Sequence, residues 1–419
     1  MTAPRHPDPR ERLAVLADAG SIVEHDAFAP SPHIARYGIV PQDDDGVVIA
    51  SASIAGQAFE IAAQDARFLR GSVGERHGQK LAAAITRARD AHRPLLFLAA
   101  SGGARLHEAN AAEIAFAQAM RALVDARASG IVALAIGVGD VFGGMSVLAG
   151  ACDALALTPA ARLGLSGPQV IAQSQGRQSH KDGNGVDAGD RAAVDALFGA
   201  AARVRAGLAD AVDDDAAAMR AWIARRLVPP ASFAASVQRV QQRLQADVDV
   251  AKVPVGVTVE GERATLPAFE GVVDAATLID VDAALLALPS TVSTLSIIED
   301  SRGHERSVGA ERVGLWRYFA HHAGVLGLLR ARGVTIVGIV DGVGHSAAFF
   351  TNALQADRLY ALPRSSIVAM EPQALARVTG MDAGMLARAI DDDPLLGHPV
   401  RHFAALGGLT LVDAIEDAR

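Results

Sequence analysis

Two short peptides 204 residues apart constrain this chain more than any other feature: DALALTP at 153–159 and DRLYALP at 357–363. Each follows an apolar run rich in β-branched residues, IVALAIGV at 131–138 and VTIVGIV at 334–340, of the kind that forms a strand buried on both faces. Upstream, LLFLAASGG at 95–103 matches LSIIEDSRG at 295–303 with an offset of 200. A period near half the chain implies two homologous lobes rather than a solenoid, whose repeats are about 20–50 residues long. The 419 residues suffice for two full cores at about 100–200 residues per domain.

Between the buried strand and DALALTP lie Gly143 and Gly144, after which the composition turns helical. The first amides of a helix lack intrahelical acceptors and are free to face negative charge. With the 204 offset these glycines fall on Ala347 and Ala348. Gly102 and Gly103 follow the strand at 95–100, at the end of such sheets where ligands sit. Amides converging on a developing charge make an oxyanion hole. Each turn taken alone reads equally well as small residues packed in a tight bend; their duplication favours the amide reading. The expected fold is α/β, two tandem lobes of repeated ββα units. Their boundaries are an N-terminal extension at 1–30, a first lobe at 31–250 carrying a polar loop at 173–190 and connecting helices, and a second lobe at 251–419.

The loop Gly71, Ser72, Val73, Gly74 opens a helix beside Arg67, Arg70, Arg76 and Lys80, a combination suited to a phosphate and equally to an ordinary solvated helix start. Arg105, Glu108 and Glu113 on the following helix orient a substrate or, more commonly, form a salt-bridge lattice. Residues 46–63 read as a hairpin turning at 55–57, and 13–23 as a short surface helix. With 39 basic and 47 acidic residues the chain has no basic excess to attract nucleic acid. Cys152 is the only cysteine, so neither a disulfide framework nor a zinc ribbon is expected. No apolar run approaches the roughly 20 residues of a membrane span, and the start lacks a signal-peptide core, so a reducing cytoplasm is the simplest location.

Several motifs together carry a family resemblance: GSVGERHGQK at 71–80, SGGARLHEANAAE at 101–113, FGGM at 142–145 and RLGLSGPQVI at 162–171. The second half adds IIEDSRG at 297–303, GVTIVGIVDGVGHSAAFF at 333–350, ADRLYALP at 356–363 and EPQALARVTG at 371–380. These resemble the carboxyltransferase branch of the crotonase superfamily, and within it the biotin-independent malonate decarboxylase β and γ subunits, here joined in one chain. The resemblance implies decarboxylation of a malonyl thioester carried on an acyl carrier protein, leaving acetyl thioester. It implies no tightly bound cofactor and no metal, only a CoA-derived arm supplied by the carrier, with carrier-protein and acyl-carrier transferase subunits as partners and a homo-oligomer left open.

It further implies that Gly102, Gly103, Gly143 and Gly144 hold the thioester oxygen, and that Ala347 and Ala348, with Ser301 or Gly303, hold the carboxylate. Arg67, Arg70, Gly71, Ser72, Gly74, Arg76, Lys80 and Arg105 would receive the arm, and His345, His77 or His107 would supply the proton. Three departures stand out. Ala347 and Ala348 replace a glycine pair common in the family, His345 occupies an apolar position, and Arg70 stands where glycine is frequent. Alternatives are a biotin-dependent acyl-CoA carboxyltransferase, a serine protease using Ser146 or Ser346, and a non-enzymatic scaffold.

Overall fold

The computed structural model describes residues 7–174, 187, 189–228, 232–248, 256–269 and 271–418. Its strands, in chain order, are β1 (Val23–His25), β2 (Val47–Ile54), β3 (Gln57–Gln64), β4 (Leu95–Ser101), β5 (Ala133–Phe142), β6 (Ala154–Leu157), β7 (Arg162–Gly164) and β8 (Asp210–Ala211). The second half contributes β9 (Thr258–Glu260), β10 (Arg263–Leu266), β11 (Thr294–Glu299), β12 (Thr335–Val340), β13 (Val343–His345), β14 (Arg358–Ala361), β15 (Ser366–Val368) and β16 (Thr410–Leu411). One sheet runs β1-β2-β3-β4-β5-β6-β8, with β7 also paired to β5; the other runs β16-β14-β12-β11-β10-β9. Both are mixed: the hairpins β2–β3 and β9–β10 are antiparallel, and β3–β4–β5–β6 and β10–β11–β12–β14 are parallel. The molecule is an α/β fold with two large mixed sheets, consistent with a duplicated ββα architecture.

The hairpin expected at 46–63 is β2–β3, turning through Ala55 and Gly56, both at positive φ (52° and 78°). That geometry matches the right-handed twist of the flanking strands. The helix expected at 13–23 instead spans Pro9–Leu16, because the Asp8 side chain caps the Arg10 amide and Pro9 starts the first turn. Leu13 and Leu16 are buried rather than laid on the surface. Residues 175–186 and 188, most of the polar loop, lie outside the described residues.

Strand registers also correct the repeat. Leu95 pairs with Ala133, and its counterpart Leu295 pairs with Ile336. The central strands are therefore 203 residues apart, one fewer than the flanking DALALTP and DRLYALP peptides. The extra residue of the second half falls after the turn, where a six-residue helix, Ser346–Thr351, gives way to a short 3-10 turn at Ala353–Gln355. Gly143 consequently corresponds to Ser346, and Gly144 to Ala347.

The halves share one core. The Ala109–Ala128 helix of the first packs on the Leu315–Ala331 helix of the second, and a side chain at Gly327 would place its Cβ 2.0 Å from Val124 Cγ1. A continuous apolar cluster reaches from Phe97 and Leu123 through Trp316 and Leu326 to Ile336 and Phe349. Each such side chain contributes roughly 1.5–3 kcal/mol by leaving water. Polar ties reinforce the junction: Arg330 Nη2 bonds Asp125 at 2.9 Å, and Asn110 Nδ2 donates to the Pro394 and Gly397 carbonyls at 3.0 and 2.8 Å. Among the described residues no helix is long and apolar enough to cross a membrane.

Candidate active site

Two strand-to-helix turns, one per half, define the site. In the first, β5 ends at Phe142 and Gly143 (φ 59°) precedes the Gly144–Gly150 helix; in the second, β13 ends at His345 and Ser346 (φ 53°) opens the Ser346–Thr351 helix. A Cβ on Gly143 would lie 3.2 Å from the Gly103 Cα, so these two glycine loops touch. Gly303 lies against the second turn, where an added Cβ would fall 2.2 Å from the His345 ring.

Most of the sequence-predicted oxyanion amides already have acceptors. Gly102 N donates to Arg70 O (2.8 Å), Gly143 N to Leu165 O (3.0 Å), and Gly103 N to Ser101 Oγ (3.2 Å). The amide of Gly144 has no partner among the described residues, as expected for the first position of a helix. On the other side Ala347 and Ala348 occupy the same first turn of their helix. Ser301 is turned inward: its amide donates to Val343 O (2.9 Å) and its Oγ to Glu299 Oε1 (2.9 Å).

A polar bridge joins the two turns. His304 Nε2 lies 3.0 Å from Ser166 Oγ, beside the Leu165 carbonyl that takes the Gly143 amide, and His304 Nδ1 lies 2.5 Å from Ser346 Oγ. Glu311 of the second half accepts the Ser166 and Leu165 amides at 2.6 and 3.2 Å, while Arg203 Nη2 reaches its carboxylate at 3.2 Å. Burial pushes the Glu311 carboxyl up to about 7, against the pull of the two amides and Arg203.

The loop expected to hold a phosphate is filled from within. The amides of Glu75 and His77, at the start of the Glu75–Asp90 helix, donate to Glu108 Oε2 (2.5 Å) and Asp45 Oδ2 (3.0 Å). Arg105 is buried between these carboxylates, 2.5 Å from Asp45 Oδ1 and 3.3 Å from Glu108 Oε1, and it also donates to Ser72 O. Gly71 (φ 65°) runs so close to β4 that a Cβ would fall 1.8 Å from Ala100 O, and Gly74 packs on Arg105. Lys80 is buried with Nζ on the Asp44 and Val47 carbonyls; Arg67 is engaged by Asp65 and Asp8. Of the four cations read from the loop, Lys80 is buried and Arg67, though exposed, is paired with Asp65 and Asp8; Arg70 and Arg76 are exposed, Arg70 with a long 3.9 Å approach to Asp140. The helix start therefore holds the chain's own carboxylates, with Arg105 paired to both.

Residues 269–417 match the malonate decarboxylase gamma subunit family, and residues 8–190 match the carboxyl transferase domain family. A chain of the Pseudomonas malonate decarboxylase hetero-tetramer, solved with malonate, is 38% identical, with a TM-score of 0.51 covering 58% of this chain and 91% of its own. The chain belongs to the carboxyltransferase/decarboxylase enzyme family. Two further relatives in that family match part of it. The malonyl-S-ACP:biotin-protein carboxyltransferase of Malonomonas rubra is 34% identical over 207 residues, 44% of this chain and 62% of its own length. The acetyl-coenzyme A carboxylase carboxyl transferase subunit beta of Herpetosiphon aurantiacus is 36% identical over 181 residues, 39% of this chain and 60% of its own. The match thus spans about three fifths of each of these relatives.

For a carboxyltransferase/decarboxylase the source of the proton matters, and the three histidines singled out by sequence are placed unequally. His77 is buried in the first half against Gln64 Nε2 (3.1 Å), its pKa well below the usual value through burial, Arg105 and Lys80. His107 packs edge-on against Tyr37, with ring centroids 5.1 Å apart. His345 lies at the second turn, but its Nε2 faces Glu371 at 4.0 Å. The histidine between the turns is His304, which sequence reading passed over. Its signal was present: with the 200 offset it stands where the first half has Ala104, and the parallel bridges Val73–Ala104 and Val273–His304 confirm the equivalence. Among the described residues no group of three or more His, Cys, Asp or Glu side chains is placed to hold a metal.

Proposed function

We propose that the chain decarboxylates a malonyl thioester to an acetyl thioester, with one turn from each half acting on the same substrate. The observation that supports this reading is the Ser166–His304–Ser346 bridge, which ties the two turns across the junction of the halves. The C–C bond to the carboxylate breaks, its electron pair enters the thioester as an enolate, and CO₂ departs. In this reading the Gly144 amide receives the enolate oxygen, Gly102, Gly103 and Gly143 shape the close approach, and Ala347 and Ala348 face the departing carboxylate beside Gly303. A single oxyanion donor contributes about 2.7–4 kcal/mol of barrier lowering in other enzymes.

The thioester arm, CoA-derived and carried by an acyl carrier protein, would pass the exposed Arg70 and Arg76, because the helix start beside them is closed. Carrier and transferase subunits are the proposed partners, in keeping with the hetero-tetramer of the Pseudomonas relative. The test is CO₂ release from malonyl-CoA and from a malonyl carrier protein incubated with the purified chain; no release from either removes the reading. A second reading, carboxyl transfer to biotin, draws support from the Malonomonas rubra relative, whose name specifies a biotin protein as acceptor.

A further inference from the structure

We propose that Ser346, supplied through His304 and Ser166, delivers the proton that converts the enolate to acetyl thioester. The inference rests on the decarboxylase reading and adds to it the path of the proton. Ser346 holds φ at 53° where the equivalent residue of the first half is Gly143 at 59°. An L-residue in that region costs about 1–2 kcal/mol, which glycine avoids. Serine kept at a strained position directs attention to its hydroxyl.

That hydroxyl meets His304 Nδ1 at 2.5 Å, and the opposite ring nitrogen meets the Ser166 hydroxyl at 3.0 Å. Burial foremost, then the neighbouring Arg306 and His345, push the His304 pKa down to about 3, so the ring is neutral at neutral pH. An imidazole that activates a nucleophile must become a cation in the transition state and is oriented by a carboxylate. Here both partners are hydroxyls and the surroundings disfavour the cation. A neutral imidazole between two hydroxyls instead donates from one nitrogen and accepts at the other, and exchanges these roles by changing tautomer.

The step balances. Ser346 Oγ–H gives its proton to the enolate carbon, and the electron pair left by CO₂ becomes the new C–H bond. His304 Nδ1–H reprotonates Ser346, His304 Nε2 takes the Ser166 proton, and water restores Ser166.

Ser346→Gly tests this without threatening the fold, since glycine suits the turn and keeps every backbone amide. The readouts are deuterium exchange into the methyl group of acetyl-CoA in D₂O, followed by NMR, and CO₂ release from malonyl-CoA. Exchange should fall by about 100-fold or more in Ser346→Gly, the usual range for a lost general acid, with an undiminished melting temperature and KM within about threefold. His304→Ala should fall similarly and recover with added imidazole. Exchange at the parental rate in Ser346→Gly, or an acyl adduct on Ser346 by mass spectrometry, would overturn the proposal. CO₂ release that survives alongside unaltered exchange in Ser346→Gly removes only the proton path. Exchange by the parent without CO₂ release removes the decarboxylase reading and leaves the path standing.

Discussion

Glu311 and Arg203 bring a buried charge pair to the loop that supports the first turn, with both side chains 2% exposed. Glu311→Ala leaves Arg203 buried without its carboxylate and frees the Leu165 and Ser166 amides. Breaking such a pair by removing one partner typically costs about 3–5 kcal/mol, and the measurement is the midpoint of chemical denaturation. Because the Leu165 carbonyl holds the Gly143 amide, the account also expects lower activity at temperatures where the variant remains folded. At this scale the sequence revealed where the backbone is closely packed, through Gly71, Gly103, Gly143 and Gly144, where an added Cβ meets neighbouring chain. It could not reveal which amides were already satisfied. The acceptors are Leu165 O, Arg70 O and the carboxylates of Asp45 and Glu108, each set by tertiary register rather than local pattern.

Two elements from different halves make the most exacting contact, where the Ala109–Ala128 helix crosses Leu315–Ala331 at Val124 and Gly327. Gly327→Ala should destabilise the parent, because its Cβ would fall 2.0 Å from Val124 Cγ1, and should be tolerated in a Val124→Ala background. A double-mutant cycle in urea measures this, and additive effects would contradict it. The same helix carries Glu113, whose carboxyl burial and then the charge of Glu299 push up to about 8; burial likewise pushes Glu299 up to about 7 against hydrogen bonds from Ser301 and Asn352. Both values exceed those of an unfolded chain, so the folded protein binds protons the unfolded one has released. Their stabilising contribution is complete below about pH 4.5 and is lost as pH rises through about 7 to 8. The denaturation midpoint should therefore fall between about pH 6 and about pH 9, and fall less steeply in Glu113→Gln; parallel profiles would refute the assignment. The buried strands and the hairpin at 46–63 were legible from β-branched runs and turn residues. The one-residue shift that equates Gly143 with Ser346 was not, since only strand pairing places the extra residue after the turn.

Across the whole molecule, duplication was readable because two peptides survive at nearly constant spacing, and it accounts for both sheets. What the repeat could not convey was how the copies dock. That depends on Trp316 against Gly150, Phe116 against Phe350 with centroids 5.4 Å apart, and the His304 bridge, none of which has a periodic signature. The docking also guides a test of the first turn. Gly144 lies against Phe116, whose ring would sit 2.6 Å from an added Cβ, so Gly144→Pro belongs in a Phe116→Leu background with Gly144→Ala as control. Loss of that amide should lower kcat by about 100-fold or more relative to the control. The most direct measurement is release of labelled CO₂ from malonyl thioester, with acetyl thioester formed in equal amount, in the presence of excess avidin. The account predicts turnover unaffected by avidin. Turnover abolished by avidin and restored by biotinylated acceptor would contradict it.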